Sequence, residues 1–105
     1  MNEIFNLTIY ELHEIPNKIF KKRWKIIRDL SFIGTDDLDY VQIAKMILDI
    51  INKENIDTTN KKILTRIKIE SKMPYVEFMF TFNENKKLIK THINRLYYKD
   101  IEMDL

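Results

Sequence analysis

Hydrophobic residues recur along this chain with two different periods. The clearest helical stripe is Tyr40, Val41, Ala44, Ile47, Leu48 and Ile51, spaced as one face of a helix requires. Thr35 or Asp36 can cap that helix, and Asp36, Asp37 and Asp39 complement the positive end of its dipole. The polar run Asn52 to Asn60 closes it. From residue 63 the period drops to two. Ile63, Thr65, Ile67 and Ile69 alternate with Leu64, Arg66, Lys68 and Glu70; after a turn at Ser71-Lys72-Met73-Pro74, Val76, Phe78, Phe80 and Phe82 alternate with Tyr75, Glu77, Met79 and Thr81. This pattern predicts an antiparallel hairpin with one apolar and one mixed face.

Three further segments read as helices. Thr8-Ile9-Tyr10-Glu11 has the spacing of a capping box, with Leu7 and Leu12 at the staple positions, so a short helix is expected over about 9–14. The rival is a strand with Phe5, Leu7 and Ile9 on one face. Pro16 suits the start of a second helix, whose stripe is Ile19, Phe20, Trp24, Ile27 and Leu30 and whose stop is Gly34. Asn83 or Asn85 can cap a last helix carrying Leu88, Ile89, His92, Ile93 and Leu96. In the tail, Ile101, Met103 and Leu105 alternate with acids, so residues 100–105 are a frayed end or an extra edge strand. The fold class expected is therefore α+β. It is a single compact domain over 1–105 of N-terminal helices, an antiparallel β-hairpin and a C-terminal helix.

Composition narrows the chemistry. The chain has 105 residues, enough for one domain with a core. Cysteine is absent, which removes disulfides, thiolate metal sites and cysteine nucleophiles and fits a reducing, cytoplasmic setting. Gly34 is the one glycine, so no glycine-rich phosphate loop can form. No apolar run approaches the length of a membrane span, and the first ten residues lack the layout of a secretory signal; no membrane association is expected. Isoleucine, lysine and asparagine are abundant while Ala44 is the sole alanine, a skew that an AT-rich coding sequence accounts for.

Net charge is only +2, but the charge is blocked. Residues 17–28 hold Lys18, Lys21, Lys22, Arg23, Lys25 and Arg28 without an acid, and residues 29–49 are mainly acidic. On a helix, Lys18, Lys21, Lys22, Lys25 and Arg28 share one face; with Lys87, Lys90 and Arg95 they form a candidate nucleic-acid surface with salt-dependent affinity. The mixed face of the hairpin is a candidate protein-binding surface through Arg66, Lys68, Tyr75, Glu77 and Met79, residue types enriched where proteins meet.

Catalytic signals are sparse. His13 and His92 are the only histidines, Ser31 and Ser71 the only serines, and neither serine sits in a strand–turn–helix elbow. Asp36-Asp37-Leu38-Asp39 lacks the glycine and glutamate of a calcium loop. Glu70-Ser71-Lys72, with Asp57 upstream, has the acid-x-lysine spacing of PD-(D/E)xK nucleases and gives a third, metal-dependent reading. The function expected is non-catalytic: a small module that docks on a larger protein as a regulator or inhibitor. Its size and composition suit a phage or other mobile-element accessory protein. No catalytic residue, metal or cofactor is assigned, and self-association into a homo-oligomer is compatible with the pattern. The alternative is a nucleic-acid binder using the basic segment.

Overall fold

The computed structural model describes residues 2–14, 22–35, 37–70, 75–95, 98–103 and 105. The elements, in chain order, are β1 (Asn2–Glu14), β2 (Lys22–Thr35), α1 (Tyr40–Lys53), β3 (Lys62–Ile69), β4 (Val76–Phe82), β5 (Leu88–Arg95) and β6 (Tyr98–Glu102). All six strands form one sheet in the order β2-β1-β3-β4-β5-β6, and every neighbouring pair is antiparallel. The expected order of N-terminal helices, hairpin and C-terminal helix is therefore overturned. The molecule is mainly antiparallel sheet with a single helix among the described residues.

The helix forms where the stripe places it, although its cap is neither Thr35 nor Asp36. Asp39 is the N-cap: its carboxylate accepts from the Gln42 N–H at 2.8 Å, and the Gln42 side chain accepts from the Asp39 N–H at 2.9 Å. That exchange satisfies two amide donors that a helix start otherwise leaves open. Ile43, Ala44, Ile47 and Ile51 face the sheet. There they join one apolar cluster with Phe5, Leu7, Ile9, Ile63, Ile67, Phe78, Phe80 and Ile93. Thr65 is buried among them, and its hydroxyl donates to the Phe78 carbonyl at 3.1 Å, so no polar atom of that side chain is stranded.

Two segments read as helices are bulged strands. In β2, Ile9 pairs with Arg28 but Tyr10 pairs with Ile26, which leaves Ile27 unpaired. In β5, Thr81 pairs with Lys90 but Phe82 pairs with Leu88, which leaves Ile89 unpaired and exposed. One extra residue resets the inward positions and turns a period of two into a mixture of spacings. The expected cap Asn83 instead closes the β4–β5 turn. Its side-chain oxygen accepts from the Asn85 and Lys87 N–H groups, with Lys86 at φ 63°.

The short helix expected at 9–14 is the second half of β1. Phe5, Leu7 and Ile9 are fully buried on alternate positions. Glu11 does not return to the Thr8 N–H; it bonds the Lys61 ammonium at 2.8 Å. The tail does not fray before residue 102: Ile93 pairs with Ile101, His92 pairs with Glu102, and the Met103 N–H donates to the Thr91 carbonyl.

Candidate functional site

Strand alternation sends each second residue away from α1. On the central strands the outward set is Thr8 and Tyr10 of β1, Leu64, Arg66 and Lys68 of β3, Glu77 and Met79 of β4, and Lys90, His92 and Asn94 of β5. Of these, Leu64, Lys68 and Met79 are only half-buried, and Lys90 and Asn94 are exposed. Arg66, Lys68, Tyr75, Glu77 and Met79 thus lie together on or beside the face that the helix leaves open.

Arg66 organises this face. Register places it opposite Glu77 on β4 and Thr8 on β1. Its Nε and Nη2 both donate to Glu77 Oε2, at 3.3 and 3.1 Å. The guanidinium carbon lies 4.4 Å from the centre of the Tyr75 ring and 5.7 Å from that of Tyr10. Two aromatic rings and one carboxylate therefore fix a side chain that otherwise has many rotamers. Burial works against the Arg66 charge, but the Glu77 hydrogen bond and charge more than offset it and raise the group above its ordinary value. Glu77 is 17% exposed and Arg66 40%, so the cation still reaches solvent.

A pocket of about 400 Å³ opens beside this pair, lined by Trp24, Leu64, Arg66, Glu77, Met79, His92 and Asn94. Its walls come from β2, β3, β4 and β5. In a flat sheet, four strand steps of about 4.8 Å would hold Trp24 roughly 19 Å from Asn94. The Trp24 end of β2 therefore curls toward the open face. The register agrees: β1 pairs with β3 only as far as Glu11, whereas β1–β2 pairing runs on to Glu14 and Lys22. The bulge at Ile27 sits where this bend begins and supplies the extra twist. Within the pocket, the Nδ1 atom of His92 is buried and has no hydrogen-bond partner among the described residues. Tyr10, Trp24 and His92 were not assigned to this face by the sequence. Trp24 and Ile26 do share a face two apart, but the bulge hides that signal.

A second concavity, of about 620 Å³, lies where the end of α1 meets the β4–β5 turn, with Ile51, Phe82 and Leu88 as its floor and Asp57 and Lys86 at its rim. The Thr59 hydroxyl and N–H both donate to Asp57 and hold its carboxyl below the usual range.

The other candidate sets are dispersed. There is no helix over the described part of the basic segment: Lys22, Lys25 and Arg28 belong to strand β2, and Lys18 and Lys21 lie outside the described residues. Lys25 pairs with Glu11 and Arg28 with Ile9, so both share the side of the sheet that carries α1; Arg28 Nε lies 4.0 Å from Glu54. Lys87 is in the β4–β5 turn and Lys90 is on the open face. The backbones of Lys22 and Arg95 are in strands, but their side chains lie outside the description. For the nuclease reading, Asp57 precedes β3 and Glu70 follows it, separated by eight strand residues or roughly 25 Å at about 3.3 Å each; Lys72 lies outside the described residues. Asp57 and Glu70 cannot share a metal in this arrangement.

An antiparallel six-stranded sheet with one face under a helix and the other carrying aromatic and charged side chains is the class of architecture these residues build. No protein-family model, curated protein or solved structure matches the chain. No helix among the described residues is long and apolar enough to cross a membrane.

Proposed function

We propose that this protein is a non-catalytic cytoplasmic binding module that docks on a larger protein through the open face of its sheet and thereby regulates or inhibits it. The observation that carries this reading is the state of Arg66. It is held in advance by Glu77, Tyr10 and Tyr75 on a face the helix leaves free. Arginine and tyrosine anchors fixed before binding are the residues that dominate protein interfaces, since their ordering cost is already met. Charge favours a protein over a nucleic acid. Asp29, Glu77 and Glu102 share this face with Arg66, Lys68 and Lys90, so among the described residues the positive charge of this face is interrupted by acids.

The test is capture of a partner by the intact protein compared with two double variants and one single variant. Tyr75→Ala with Met79→Ala should abolish stoichiometric capture while the unfolding midpoint is kept, and Arg66→Ala should weaken it by roughly 30-fold or more. Val41→Ala with Lys45→Ala, on the outward side of α1, should bind as the parent does. Capture that survives the first pair, or is lost with the second, overturns the reading.

A further inference from the structure

The two halves of β2 differ at the rim of the sheet. β2 is an outermost strand, and among the described residues no strand pairs with its far side. Such an edge presents unpaired amide and carbonyl groups and is ordinarily blunted by charges, proline or a bulge. Residues 22–28 are blunted. They hold Lys22, Arg23, Lys25 and Arg28 and the bulge at Ile27, and Arg28 Nη1 donates to the Ile27 carbonyl at 2.7 Å. Residues 30–35 have no charge, no proline and no bulge. Ile33 is 72% exposed there, and it pairs with Ile4, itself 46% exposed. Charge identifies what this open stretch fits. Before it stand the four cations; after it stand Asp37 and Asp39, both exposed, with no cation before Lys45. Lys25 and Arg28 face the side of the sheet that carries α1, and Asp39 caps that helix, so both signs lie toward one side. A strand flanked by opposite charges matches its own copy when the two run antiparallel, because each basic end then lies beside the other's acidic end.

We infer that residues 29–35 of β2 pair antiparallel with the same residues of a second copy of this chain, about a twofold axis at Phe32, and join the two sheets into one. On the covered face the axis sets Phe32 against Phe32 of the second copy and extends the Phe5–Phe32 stack, whose rings lie 5.3 Å apart. On the open face it sets Asp29 opposite Thr35 of the second copy, a carboxylate against a hydroxyl that donates to it. The two exposed Ile33 side chains come to diagonal positions within reach of each other. No like charges stand opposite each other along this stretch. The dimer goes beyond the docking proposed for the open face and does not depend on it, since it needs only the edge.

The experiment is analytical ultracentrifugation of the purified protein from about 1 μM to about 1 mM, the range in which a small interface fills. A reversible dimer should form. Ile33→Lys should weaken it by on the order of tenfold or more, because it sets two ammonium groups on one face of the joined edge, while the unfolding midpoint is kept at so exposed a site. Ile89→Lys, the same change at an exposed isoleucine of β5, should leave the dimer as it is. The register has its own check, since the chain has no cysteine. Asp29→Cys with Thr35→Cys should close a disulfide between copies on mild oxidation. Either change alone should not, because each cysteine then lies roughly 20 Å from its counterpart at about 3.3 Å per residue. A monomer throughout the concentration range, which needs no variant, overturns the inference. So does assembly that grows beyond a dimer, the mark of β2 pairing head-to-tail with a different edge. An Ile33→Lys dimer as tight as the parent's, or single-cysteine variants that crosslink as well as the double one, overturns it too.

Discussion

Phe78 and Met79 are chain neighbours on β4 that serve opposite faces of the sheet. Phe78 points under α1, is fully buried and stacks at 6.2 Å on Phe80. Met79 points the other way, is half-buried and lines the open pocket. The covered face is assembled largely from isoleucine and phenylalanine, with the buried Thr65 hydroxyl paired. The open face is assembled from tyrosine, arginine, glutamate and methionine, and leaves a buried imidazole nitrogen unpaired. Each strand therefore carries two separable tasks at alternate positions: one face holds the fold together, and the other is free to vary with what it contacts.

The largest effect that tests this division is at that pair. Phe78→Ala removes a ring from a packed core and should lower the unfolding free energy by ~3–5 kcal/mol, read by urea denaturation. Met79→Ala should cost less than ~1 kcal/mol, because the side chain is already partly in water. Equal losses at the two positions would mean that the open face is as much a part of the core as the covered one.

A smaller loss is expected at the edge of the covered face. Gly34 lies on β2, and a Cβ there would come 2.7 Å from Cε2 of Phe5. The Phe5 ring cannot yield, since it is fully buried and stacked at 5.3 Å on Phe32. Overpacking of this kind costs ~1–3 kcal/mol, so Gly34→Ala should lower the thermal midpoint by several degrees. The glycine is thus not the helix stop that its position suggests; it makes room for an aromatic pair.

The same division explains what could be read from the residues beforehand. In β3 and β4 no bulge interrupts the pairing from Lys62 to Ile67, so the apolar residues keep strict alternation and the hairpin is legible. The stripe of α1 is equally regular. In β2 and β5 a single bulged isoleucine resets the inward face, and Ile27 with Trp24 and Leu30, like Ile89 with His92 and Ile93, falls at spacings that imitate a helix. Thr8 and Glu11 failed for another reason. Their spacing is that of a capping box, yet the Thr8 hydroxyl donates to Asp29 at 3.3 Å and Glu11 bonds Lys61, partners 21 and 50 residues away that no local pattern contains. Of the candidate site, Arg66, Tyr75, Glu77 and Met79 were accessible through alternation alone. Tyr10 and His92 join them by pairing with Leu64 and Met79, which the helical readings of their two segments hid, and Trp24 joins them through the course of β2, which is a tertiary event.

Among the described residues each face carries an ion pair, and pH separates the two. On the open face the Arg66 guanidinium remains charged through any practical range, so its bond to Glu77 does not titrate from the cationic side. At the rim of the covered face the Lys61 ammonium bonds Glu11 at 2.8 Å and lies 3.6 Å from Asp57. The Glu11 hydrogen bond leads the effects that raise Lys61 above its ordinary value of 10.5, against the opposing effect of burial. A folded-state value above the unfolded one means that Lys61 holds its proton more tightly when folded. Its contribution is therefore full below the unfolded value and is lost as pH rises through the folded one. The protein should lose stability by this route as pH rises above the ordinary lysine value of 10.5, by no more than ~1 kcal/mol for a pair still in contact with water. Glu11→Gln should flatten that alkaline decline in urea midpoints measured across the range, whereas Glu77→Gln should leave its slope as it is. An identical flattening by both substitutions would show that the two faces share one electrostatic network, and the separation of tasks along each strand would no longer hold.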